Sequence, residues 1–164
     1  MYRVGTDEAG FQLGSDRQAH LLRARLWGFW DEPLAAEFKR RIADELARLS
    51  WPWYLVWNCE ALSPLRPVVQ NALREVIAQV CAQGMRRGAL VTQNALAKLP
   101  LIRLVKESRA RDGASWEFFY TDGAALSWLR HPVEQRSGCE EDEGRSERRG
   151  ERRADNRSDH RNDK

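Results

Sequence analysis

The apolar run Trp53-Tyr54-Leu55-Val56-Trp57 constrains this chain more than any other segment. It is too short to be a helix of its own, and it is built from aromatic and β-branched side chains that suit a pleated surface. It reads as a strand covered on both faces, which requires helices packed against its sheet. Ala89-Leu90-Val91-Thr92 is a second strand of this buried type.

The intervening segments have helical spacing. Leu34, Phe38, Ile42, Leu46 and Leu49 recur every three or four residues behind Asp31-Glu32-Pro33. Asp31 suits an N-cap and Pro33 a first turn, so a helix starts there. Val69, Leu73, Val76, Ile77 and Val80 predict a second helix, stopped by Gly84. Asn94 caps a third that carries Leu96, Leu99, Ile102 and Val105, and Pro100 predicts a kink in it or a division into two pieces. Leu22-Arg23-Ala24-Arg25-Leu26 alternates apolar and basic residues, as a strand with its arginines on a wet face does. Phe11 and Leu13, bounded by Gly10 and Gly14, predict an earlier strand. Asn58 ends the central strand, and Leu62-Ser63-Pro64 with Pro67 marks a loop. Trp116, Phe118 and Tyr120 predict a last strand, after which Asp122 caps a helix that buries Leu126 and Leu129. Strands alternating with helices give an α/β domain with a mainly parallel sheet.

The apolar residues stop abruptly. After Val133 there is no Leu, Ile, Val, Met or aromatic side chain. Residues 131–164 carry ten acidic and nine Lys or Arg residues and lack the apolar area that would offset chain entropy. The expected organisation is a flexible N-terminus over 1–10, a domain over 11–130 and a disordered charged tail over 131–164. The first 130 residues hold 18 Lys or Arg against 14 Asp or Glu, too even a balance to imply nucleic acid as partner. The paired arginines of the tail are cancelled by interleaved acids.

Three cysteines, Cys59, Cys81 and Cys139, form no CxxC pair, and His20, His131 and His160 are scattered. Neither a disulfide framework nor a zinc site is expected. Met1 to Gly14 lacks the apolar core of a signal peptide, and no apolar run has the ~20 residues of a membrane span, so the expected location is the cytoplasm. GxSxG, Walker A and GxGxxG phrases are absent. Cys59 has no adjacent histidine to activate it and reads as a buried thiol. No catalytic residue, cofactor or metal is expected.

Ligands on open parallel sheets meet the carboxyl ends of the strands. Two stretches stand there: Asn58, Glu60, Ser63 and Arg66 in one, Thr92, Gln93 and Asn94 in the other. Ser63 and Asn94 also serve as helix caps in this reading. Seven tryptophans are many for this length. Core filling is the plain account of them; the alternative is an apolar pocket or protein-contact patch at Trp27, Phe29 and Trp30, which sit at a strand-to-helix turn.

The element order resembles that of the SpoIIAA-like proteins of the STAS superfamily, also described as STAS/SEC14-like. The phrases that carry the likeness are Trp51-Pro-Trp53-Tyr-Leu-Val56, GMRRGALV from Gly84 to Val91, and Gly123-Ala-Ala-Leu-Ser-Trp128-Leu129. It covers about residues 11–130. The resemblance implies a small, mainly parallel but mixed sheet flanked by about four helices, acting as a regulatory module that binds a protein partner. The SEC14-like side implies an alternative, a carrier of a small apolar ligand or lipid. Anti-sigma-factor antagonists of this kind switch partners through a phosphorylated Ser or Thr at the start of the helix after the central strand. The matching stretch here, Leu65-Arg66-Pro67-Val68, has no hydroxyl, and Ser63 is the nearest. Asn58 stands where an Asp is common at the strand end.

The tail reading has a direct check. Ending the chain after residue 131 should leave the melting temperature within a few degrees of the full chain, on the order of what ~0.5 kcal/mol moves it; a large loss would show that the tail packs on the domain.

Overall fold

This computed structural model describes residues 1–50, 52–112 and 114–130. Trp51 and the expected tail over 131–164 lie outside the described residues. Ten elements follow in order: β1 (Tyr2–Gly5), β2 (Gly10–Asp16), β3 (Leu21–Gly28), α1 (Glu32–Leu46), β4 (Trp53–Leu62), α2 (Pro67–Ala82), β5 (Met85–Val91), α3 (Ala95–Asp112), β6 (Ser115–Phe119) and α4 (Asp122–Arg130). The strands form one mixed sheet in the order β1-β2-β3-β4-β5-β6. β1, β2 and β3 pair antiparallel, and β3 to β6 pair parallel.

Each parallel strand lies beside the one before it, so the three crossover helices stack on one face of the sheet. Phe11, Leu13, Leu22, Leu26, Leu55, Trp57, Leu90 and Trp116 point there and form the main core with α1, α2 and α3. The other face of the parallel half is covered by α4, whose Ala125 and Leu129 pack on Leu21, Val56, Ala89 and Val91. The two apolar strands are therefore buried on both sides, as their continuous runs require.

Local signals account for most element ends. Asp31 Oδ1 accepts from the Leu34 amide at 2.9 Å, and Pro33 lies in the first turn of α1. All five residues of the second stripe, from Val69 to Val80, are buried. Asn94 Oδ1 accepts from the Leu96 amide at 3.0 Å and starts α3.

Five expectations need correction. The N-terminus is not a flexible leader: Tyr2–Gly5 pairs with β2, and the Tyr2 hydroxyl donates to the buried Glu45 carboxylate at 3.0 Å. A four-residue edge strand is too short to show a clear period of two. Asn58 does not end β4. It is the last residue paired with β5, but pairing with β3 continues past a bulge to Leu62. Leu96 and Leu99 are exposed; of the expected stripe Val105 is buried, and α3 buries Ala97, Leu101 and Leu104 beside it. Steps of three fall about 60° short of a full turn each, so the expected stripe winds around the helix, while the observed i, i+4, i+7, i+8 set stays on one face. Of the two outcomes expected at Pro100, a kink or a division, the division does not occur: α3 is one helix from Ala95 to Asp112. Thr121, not Asp122, caps α4: its Oγ1 accepts from the Ala124 amide at 3.3 Å, and Ala125 with Leu129 forms the buried pair, Leu126 being half-buried.

Trp116 sits directly over Gly88, where an added Cβ would lie 2.4 Å from its ring. Its indole N–H and that of Trp57 are buried with no hydrogen-bond partner among the described residues. Replacing Trp116 by Ala should cost about 3–5 kcal/mol. Trp116→Phe should cost well under half of that, because it also removes an unpaired donor; urea unfolding of both variants checks the ratio.

Candidate functional site

The carboxyl ends of β3, β4, β5 and β6 point the same way, and the chain leaves each through a loop to a helix start. Ser63 continues from β4, and its amide donates to the Gly28 carbonyl at 3.0 Å. This ties the end of β4 to that of β3. The Asn94 side chain donates to the Leu62 carbonyl at 3.1 Å and ties the end of β5 to that of β4. Thr92 is buried, and its hydroxyl accepts from the Asn94 amide at 3.2 Å. Gln93 Nε2 donates to the Tyr120 carbonyl at 3.3 Å and brings in the end of β6. Four strand ends are thus joined into one continuous rim.

This rim carries apolar surface. Among the described residues, Phe29 is 49% exposed, Val68 40%, Leu96 66%, Leu99 68% and Tyr120 66%, and of the large exposed apolar side chains only Met1 lies elsewhere. Phe29 follows β3, Val68 is in the first turn of α2, Leu96 and Leu99 are in the first turns of α3, and Tyr120 follows β6. Two cations lie over the rings: the Arg66 guanidinium 4.9 Å from the Phe29 centroid, and Lys98 Nζ 5.2 Å from that of Tyr120.

The residues singled out in the sequence divide three ways. Ser63, Arg66, Thr92, Gln93, Asn94 and Phe29 belong to the rim. Ser63 caps no helix: Arg66 is the N-cap of α2, without a side-chain hydrogen bond, and Pro67 begins the helix. Asn58 turns to the opposite face, where its Nδ2 donates to the Asp122 carboxylate at 3.0 Å and its Oδ1 accepts from the Glu60 amide at 3.1 Å. Glu60 is exposed beside it. The aromatic turn does not stay together either. Trp30 is buried, donating to the carbonyls of Gly10 and Trp27 at 3.2 and 3.1 Å, and Trp27 lies half-buried on the open face of the sheet. Val68, Leu96, Leu99 and Tyr120 were missed. For Leu96 and Leu99 a stricter helical period was the available signal.

No protein-family model matches the chain, and no curated protein matches it in sequence. Solved structures do match it. An uncharacterized protein with a SpoIIAA-like fold from Shewanella loihica aligns over 77% of this chain and 98% of its own, with a TM-score of 0.58 and 16% identity. An anti-sigma factor antagonist from Mycobacterium paratuberculosis aligns over 78% of this chain and 100% of its own, with a TM-score of 0.54 and 16% identity. At that identity the likeness is one of fold, and this chain has the SpoIIAA-like α/β fold that its sequence resemblance implies.

Among the described residues no group of three or more His, Cys, Asp or Glu is placed to hold a metal ion, and no helix is long and apolar enough to cross a membrane. Cys59 lies on β4, fully buried, with its thiol 4.0 Å from the Trp57 carbonyl. Burial pushes the thiol up to about 12, so at neutral pH it is a protonated, poor nucleophile. Cys59 should therefore resist a neutral alkylating reagent at pH 8 in the native protein and react once the chain is unfolded in urea. Mass-spectrometric mapping of the label checks this, and rapid native labelling would show that β4 opens.

Proposed function

We propose that this SpoIIAA-like domain is a non-enzymatic regulatory module that engages a protein partner through the rim at the carboxyl ends of β3 to β6. The observation that carries the reading is the gathering of Phe29, Val68, Leu96, Leu99 and Tyr120 at one end of the sheet. Exposed apolar side chains scattered singly are ordinary, but a patch of them rimmed by polar groups is the usual mark of a contact surface. One structural neighbour is an anti-sigma factor antagonist, a kind of protein defined by acting on another protein.

The chemistry of the rim points to the character of the partner. Arg66 and Lys98 flank the apolar side chains and lie over aromatic rings. A partner segment with apolar anchors between carboxylates complements that arrangement in both shape and charge. Ser63 is half-buried and its amide is tied to β3, and the first turn of α2 begins Pro67-Val68-Val69. Partner choice by phosphorylation in that turn therefore has no hydroxyl to act on, and recognition rests on the apolar contact. The carrier alternative places its ligand between the sheet and the helices. Phe38, Trp57 and Trp116 fill that layer, so the rim is the favoured reading.

A photo-crosslinking side chain placed in turn at Leu96, Leu99 and Tyr120 should capture one and the same protein from the native cytoplasm. Capture should be lost when Phe29→Glu is added. A crosslinker at Asp44 on the exposed side of α1 should capture nothing in common with them. Equal capture from Asp44, or a different protein from each rim position, would rule the rim out as a specific interface.

A further inference from the structure

The face of the sheet opposite α1, α2 and α3 is only half covered. α4 lies over β4, β5 and β6 and reaches Leu21 at the start of β3, and the rest of β3 with β1 and β2 turns toward solvent a surface that no described element covers. A groove of about 280 Å³ opens there, lined by Arg3, Asp7, Gln12, Arg25, Trp27 and Ala61. That is close to the lower end of the ~300–1,000 Å³ typical of small-molecule sites.

The groove is shaped by strand register. Gln12 stands directly opposite Arg25, and Gly10 directly opposite Trp27. A Cβ on Gly10 would lie 2.6 Å from the Trp27 ring, so glycine at that position lets the indole lie down on β2. The ring is then fixed from two sides. Its N–H donates to the Thr6 carbonyl at 2.9 Å, and the Arg3 guanidinium sits 5.0 Å from its centroid. Arg3 is itself held by an ion pair with Asp7. The wall of the groove is therefore an ordered aromatic surface.

The cations are unequal. Among the described residues Arg3 is matched by Asp7, but Arg25 has no ion pair or hydrogen bond, and neither does Arg23 two residues before it on the same face. The Arg23 Nε is also buried without a partner. Two like charges on one face of one strand, about 7 Å apart along the chain, repel. A buried unpaired donor costs roughly 1–3 kcal/mol. The repulsion falls if an anion binds at Arg25 in the groove, since guanidinium forks match carboxylate and phosphate oxygens in pairs. Gln12 adds an amide donor beside Arg25.

We infer that the open face of β1 to β3 is a binding site for a small molecule bearing an oxyanion on an apolar or aromatic body. The oxyanion is held by Arg25 with Gln12, and the body lies along Trp27. The site is separate from the apolar rim and stands whether or not that rim binds a protein. Phosphate and carboxylate share the chemistry, and the choice of probe separates them.

Calorimetric titration of the full chain with phenyl phosphate, phenylacetate and inorganic phosphate tests it. Saturable binding of phenyl phosphate or phenylacetate is expected, and whichever binds more tightly identifies the oxyanion. Inorganic phosphate should bind at least several-fold more weakly, for want of a body to lie on Trp27. Arg25→Gln should weaken binding at least tenfold, and Arg25→Lys should do so by less. Arg74→Gln, which removes a helix-surface arginine paired with Glu107, should leave it unchanged. Unaltered thermal melts of the Arg25 variants would show that the fold is intact. Absence of saturable binding by all three probes at millimolar concentration overturns the inference, as does an equal loss in Arg74→Gln.

Discussion

A line of aromatic rings crosses the molecule, and the helical layer is built against it. Phe11 on β2 meets Phe38 on α1 at 5.0 Å between centroids, Phe38 meets Trp57 on β4 at 5.7 Å, and Trp57 meets Trp116 on β6 at 6.2 Å, all edge to face. Trp30 joins at Phe38. Each pair contributes about 0.5–1.5 kcal/mol beyond the area it buries. The geometric consequence matters more. Rings of this size span the space between sheet and helices, so they set how far α1 and α2 stand from the strands. Gly88 is the matching concession in the sheet, since any side chain there would collide with Trp116.

Because all three crossover connections run the same way, this aromatic layer uses up the helices on one face. Among the described residues α4 alone covers the other, and it reaches the parallel half. Two surfaces follow from that asymmetry. One is the rim, where helices α2 and α3 begin above the strand ends and where Leu96 and Leu99 face away from the core. The other is the open face of the antiparallel strands, where Arg25 lines the groove beside Trp27. The two are chemically different, the first apolar with cations at its margin, the second basic with one fixed indole, and they suit different kinds of ligand.

Much of this was legible in the residues. The alternation at Leu22–Leu26 placed Arg23 and Arg25 on a wet face, where Arg25 is exposed and Arg23 partly so. Asn94 was recognised both as a cap and as part of the strand-end set, and it is both. What failed did so for identifiable reasons. Three-residue spacing in α3 imitates an amphipathic stripe but drifts off the face, so exposed leucines were taken for core. Trp30 beside Phe29 read as a surface patch, yet its indole finds two carbonyls that are remote or non-obvious in sequence and is buried. β1 was invisible because a short edge strand owes its order to a neighbour, β2, and to the Tyr2–Glu45 bond across 43 residues.

Beyond β1, the sequence by itself determined which segments are strands and helices and how they alternate, because period and capping are local properties of a chain. It also determined that the central strands are covered twice, since a continuous apolar run admits no wet face. Only the tertiary structure decided which residues share a surface. The rim joins residues from Phe29 to Tyr120, and the groove joins Arg3 to Ala61, through strand register and carbonyl–amide contacts between distant segments. Register is a property of pairs of strands, and no single stretch of sequence carries it.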